Sequence, residues 1–105
     1  MHTEAQHVHS GQILRTDAPA DHAGKGENFA PTDLLATAVG TCFLTVMGIT
    51  AKEKGWRLDE ITVAIDKKMT TQGPRKIRSL LLQIDMPTNL GADQLQVLQN
   101  ATKDC

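Results

Sequence analysis

Cys42 and Cys105 are the two cysteines of the chain and its candidates for covalent redox chemistry. The reactive form of cysteine is the thiolate, and a free thiol with a pKa near ~8.5 is mostly protonated at neutral pH. Cys42 sits in the middle of the stretch 31–55, PTDLLATAVGTCFLTVMGITAKEKG, too far from a helix start to gain from the helix dipole. Activation of its sulfur therefore needs a cation or a hydrogen-bond donor from elsewhere in the fold or from a second subunit. Without one, Cys42 is a small core hydrophobe. The histidines offer a second chemistry: His7-x-His9 places both imidazoles on one face of a strand, where Cys42, Cys105 or His22 could complete a metal site. Such a pair is more often a solvated strand face, and no metal or other cofactor is expected.

The element that must position Cys42 is a helix. Pro31 suits a first helical turn, Asp33 suits the positive helix N-terminus, and Lys52 and Lys54 followed by Gly55 mark the end. Residues 34–51 contain no charge. A membrane span needs about 20 mostly apolar residues, but four threonines and two glycines interrupt this run. The expectation is a helix buried on nearly all sides within a soluble fold.

Before it, residues 2–15 read as a strand pair turning at Ser10-Gly11, and 17–28, DAPADHAGKGEN, as a long loop of the kind that is functional or mobile. After it comes a short connection, 56–59. Residues 60–69 then alternate, with Ile61, Val63, Ile65 and Met69 on one face. A turn at 70–74 leads to a second strand, 78–86, with Leu80, Leu82, Ile84 and Met86 inward and Pro87 ending it. A final helix spans 92–104. Its stripe Leu95, Leu98, Thr102 continues to Cys105, which directs the second cysteine into the same interior as Cys42. Helices flanking an antiparallel hairpin make the fold class α+β.

At 105 residues the chain is one domain, 1–105. A formal charge of −1 and only three aromatic residues argue against nucleic acid and anionic membrane surfaces as partners. The first ten residues, MHTEAQHVHS, hold no apolar signal region, so the expected compartment is the cytoplasm. A lone cysteine pair there is more often catalytic than a disulfide framework. The chain stops on Cys105 directly after a helical pattern and reads as a domain shortened at its end.

Residues 24–57, GKGENFAPTDLLATAVGTCFLTVMGITAKEKGWR, resemble the OsmC/Ohr family of osmotically inducible and organic hydroperoxide resistance proteins. The resemblance rests on the Pro-x-acid-Leu-Leu opening, the Ala-x-Gly-x-Cys segment and the Lys-Gly helix end. It continues through Pro74-Arg75-Lys76-Ile77 in the hairpin and ends at Cys105. It implies an antiparallel sheet packed around long helices in an intertwined homodimer, with active sites at the subunit interface. It also implies a thiol peroxidase without cofactor: Cys42 attacks an organic hydroperoxide, Cys105 resolves the sulfenic acid as a disulfide, and a dithiol reductant restores the pair. Apolar neighbours such as Phe43, Val46 and Met47 would favour bulky peroxides.

The chain also departs from the family pattern. In the family an arginine from the N-terminal hairpin turn and a glutamate near the helix start hold the thiolate. Here the turn carries His7, His9 and Ser10, with Arg15 later, and the glutamate position is Thr32 beside Asp33. His9, Arg15 and Asp33 are the candidates to take over that role. The family's C-terminal strands beyond the second cysteine are missing from the pattern. These departures leave open a different reading, a non-catalytic dimer that binds an apolar ligand or serves as a stress-associated structural protein.

Overall fold

A computed structural model describes residues 1–58, 60–86 and 89–105. Asp59, the last residue of the connection 56–59, and Pro87, expected to end the second strand of the later hairpin, lie outside the described residues. The chain forms two compact units, Met1–Leu35 and Ala36–Cys105.

In the first unit β1 (His2–Gln6) pairs antiparallel with β2 (Ile13–Asp17), in a register running from His2 opposite Asp17 to Gln6 opposite Ile13. The strands are offset from the sequence expectation because His7 belongs to the turn. Its N–H donates to the Gln12 carbonyl (2.8 Å), its carbonyl accepts from Gly11 (2.7 Å), and its Nδ1 meets Ser10 Oγ (2.6 Å). Gly11 supplies the positive φ of 77° that this turn requires. β2 in turn runs on to Asp17, whose N–H donates to Phe29 (3.0 Å) as the loop returns.

Helix α1 (Pro31–Lys54) opens and closes as its sequence dictates. Asp33 reaches back to accept the Ala30 N–H at 2.9 Å, half of a capping box. At the other end Gly55 (φ 74°) donates to Lys52 (3.1 Å) and Trp56 to Ala51 (2.8 Å), the paired bonds of a Schellman cap.

The second unit adds β3 (Thr62–Met69) and β4 (Ile77–Asp85), antiparallel with a bulge at Lys68/Met69, and α2 (Ala92–Ala101). Val63 and Ile65 on β3 and Leu80, Leu82 and Ile84 on β4 face inward, as alternation required. The core joins Met47 and Ala51 of α1 to Leu98 of α2, with Trp56, Leu58, Ile84, Met86 and Leu90 around them. Gly40 brings α1 close to β3: a Cβ there would run into Ile65 and touch Val63.

Burial of α1 is narrower than its composition suggests. Ala36, Gly40, Met47 and Ala51 are buried, one stripe at helical spacing, whereas Leu35 and Ile49 remain 58% and 55% exposed. The helix is long and apolar enough to cross a membrane, a test that the core helix of a soluble protein also passes.

Candidate active site

Cys42 lies half-buried at the midpoint of α1. Cys105 lies just past α2, which tightens into a 3-10 turn, Thr102–Asp104, before it. The Cys105 N–H donates to the Thr102 carbonyl at 3.2 Å. The two cysteines are joined in a disulfide, with α-carbons 6.0 Å apart. Periodicity expected Cys105 on the inner stripe of an unbroken helix. Instead the tighter turn leaves it on the exposed side of the chain end while its sulfur still reaches α1.

A cavity of about 440 Å³ opens in the same unit, lined by Phe43, Met47, Leu82, Ile84, Met86, Leu95, Gln99 and Thr102. Phe43 follows Cys42 directly, and Thr102 closes α2 and opens the 3-10 turn that leads to Cys105. The wall is apolar on the α1 and sheet sides, and its polar groups, Gln99 and Thr102, come from α2 and its C-cap. Apolar walls with a few polar groups are the general character of sites that take small, mostly hydrophobic molecules.

The other candidates belong to the first unit. Arg15, exposed on β2, points Nε at Glu4 Oε2 across the hairpin (3.4 Å). His9 lies in the hairpin turn, its ring 6.5 Å from that of His7 and edge-on to it. Asp33 holds the Ala30 N–H as described. Among the described residues no group of three or more His, Cys, Asp or Glu side chains is placed to hold a metal ion.

Sequence reading overlooked Asp17, which is 1% exposed. Burial opposes its charge. The backbone N–H of Glu27, the neighbouring His2, the Lys25 N–H and the amino terminus outweigh that, and the carboxyl titrates below its ordinary range. The signal was faint: an aspartate at a strand end followed by the glycine-flanked Lys25.

A family model for OsmC-like proteins matches residues 24–105. Among solved structures, a protein of Psychrobacter arcticus 273-4 named for an osmotic stress induced and detoxification response is 35% identical. It superimposes with a TM-score of 0.91 over 99% of this chain and 75% of that one. An organic hydroperoxide resistance protein of Vibrio cholerae, with captopril bound in one of its active sites, shares 22% identity at TM-score 0.72, over 97% of this chain and 71% of that one. An organic hydroperoxide resistance protein OsmC of Legionella pneumophila shares 16% at 0.67, over 99% and 81%. No curated protein matches the chain. At those two lower identities the likeness carries the fold alone.

Proposed function

The chain belongs to the OsmC-like protein family, and from that membership we propose that it is a thiol-dependent peroxidase acting on organic hydroperoxides. The observation that carries this reading is the disulfide between Cys42 and Cys105, with Phe43 and Thr102, near its two ends in sequence, in the wall of an apolar cavity.

The chemistry balances with the residues present. The Cys42 thiolate attacks one peroxide oxygen, the O–O bond breaks, and the alkoxide leaves and takes up a proton as the alcohol. Cys42 is then a sulfenic acid. The Cys105 thiolate attacks that sulfur, hydroxide leaves as water, and the disulfide forms before the sulfur can oxidise further. A dithiol of the cell reduces the bridge by exchange. Arg15 or His9 is the proposed source of the positive charge or hydrogen bond that keeps Cys42 ionised, with Asp33 proposed as the carboxylate that pairs with that cation, in the place of the family's arginine and glutamate.

A homodimer is part of the proposal. Ile13 and Leu14, neighbours on β2 and so on opposite faces, are 45% and 41% exposed. A two-stranded hairpin open on both faces is marginal alone in water. The exposed stripe of α1 through Leu35, Ala38, Thr45 and Ile49 likewise suits a close helix contact.

A second reading, a non-catalytic dimer holding an apolar ligand, is favoured by one contact: Arg15 is engaged by Glu4. Thiol titration separates the two. With cumene hydroperoxide, the reduced protein is expected to lose both thiols together, and Cys42→Ser to lose none. Two thiols indifferent to peroxide would leave the ligand-binding reading.

A further inference from the structure

We infer that Asp17, His2 and Glu27 form a pH-responsive latch that fastens the loop between β2 and α1 onto the N-terminal hairpin. Residues 18–28, APADHAGKGEN, have almost nothing apolar to bury, so the loop must be held by polar contacts. Besides the loop's own backbone turns and the Ala18 N–H donated to the Met1 carbonyl (3.2 Å), several of those contacts converge on one residue. Asp17 Oδ2 accepts the N–H groups of Lys25 and Glu27, each at 3.3 Å. The Asp17 backbone N–H donates to the Phe29 carbonyl at 3.0 Å. A single side chain and its own amide thus tie down three points along the far end of the loop. Gly24 permits the wrap, since a Cβ there would collide with the Ala18 carbonyl.

The charged groups facing the Asp17 carboxylate come from the start of the chain and from the loop. The Met1 amino group stands 3.4 Å from Oδ1. His2 Nε2, on β1, stands 3.6 Å from Oδ2 and 3.9 Å from Glu27 Oε2. A charged imidazole in that position bridges two carboxylates, one on the hairpin and one on the loop. A neutral imidazole leaves Asp17 and Glu27 facing each other without it. Protonation of Asp17 at acid pH removes the acceptor on which the loop amides depend. The latch is therefore tightest where His2 is charged and Asp17 is still ionised, and it loosens on both sides of that window.

The test is hydrogen–deuterium exchange on the whole chain, read on peptides covering 18–29 and corrected for the intrinsic pH dependence of exchange. Histidines change charge between about pH 5 and 8. Protection of the loop is accordingly expected to be about two- to five-fold higher near pH 5.5 than near pH 8, the size of a partly exposed ion pair. His2→Gln should erase that difference. Asp17→Asn should lower protection by about tenfold or more at both values while β3 and β4 keep theirs. Equal protection at the two pH values in the wild-type chain, or a difference that His2→Gln leaves intact, overturns the latch. If Asp17→Asn loosens the whole first unit, the His2→Gln comparison still decides, because that variant keeps Asp17.

Discussion

The α-carbons of Cys42 and Cys105 stand 6.0 Å apart although 63 residues of sequence separate them. That spacing lies within the range a disulfide spans. The bridge ties the middle of α1 to the turn after α2 and encloses the connection, both later strands and the second helix. Closing so long a loop removes conformational freedom from the unfolded chain, in the chain-entropy account about 4 kcal/mol. The oxidised protein is expected to unfold at higher urea than the reduced one. The difference should reach up to that amount and disappear in Cys105→Ser, measured with and without dithiothreitol.

Cys105 acts after the first oxidation, so its loss should separate the two steps. Cys105→Ser is expected to reduce hydroperoxide once and then stop, because no neighbouring thiol captures the sulfenic acid on Cys42. Intact-mass spectrometry should show sulfenic, then sulfinic and sulfonic forms of Cys42 accumulating with peroxide. Sustained turnover at the wild-type rate would refute the resolving role.

Two glycines in α1 have opposite surroundings. A Cβ at Gly40 runs into Ile65, while one at Gly48 meets nothing within 4 Å. Gly→Ala within a helix gains up to about 1 kcal/mol from backbone propensity. Overpacking costs about 1–3 kcal/mol. Gly48→Ala should therefore raise stability by up to ~1 kcal/mol. Gly40→Ala should be neutral to ~2 kcal/mol destabilising, and Gly40→Val worse still. Thermal unfolding of the three variants checks the ranking.

The cap residues of α1, the inward faces of β3 and β4 and the α+β class were legible because each rests on local chemistry or on a short period. Pro31, Asp33 and Gly55 act within one turn, and Val63, Ile65, Leu82 and Ile84 within a pleat. The extent of α1 burial was not legible. Composition marks Leu35 and Ile49 as residues that avoid water, but not whether their cover comes from the same chain. Asp17 was missed for a similar reason: its partners are backbone amides of Lys25 and Glu27, and amides carry no sequence signature.

Acid should act first on the hairpin and loop. The Asp17 carboxyl titrates below its unfolded value of 3.8, so its contribution is complete above that value and is lost as pH falls through the lower folded one. Asp17→Asn is expected to flatten the acid limb of the stability profile and to lower stability at neutral pH. Circular dichroism during acid titration of both proteins provides the comparison, and identical acid midpoints would count against a stabilising carboxylate.

The exposed stripe of α1 gives the sharpest handle on assembly. Ile49 is 55% exposed in the single chain, on a helix whose buried stripe lies on the opposite side at Met47 and Ala51. If a second copy covers it, Ile49→Glu places a carboxylate in a desolvated contact, where an unpaired charge costs several kcal/mol. Analytical ultracentrifugation should then show a dimer for the wild-type chain and a monomer for the variant, with the Cys42–Cys105 bridge still able to form within each chain. If Ile49 faces water, the substitution should change stability by less than about 0.5 kcal/mol and leave the sedimentation coefficient unchanged.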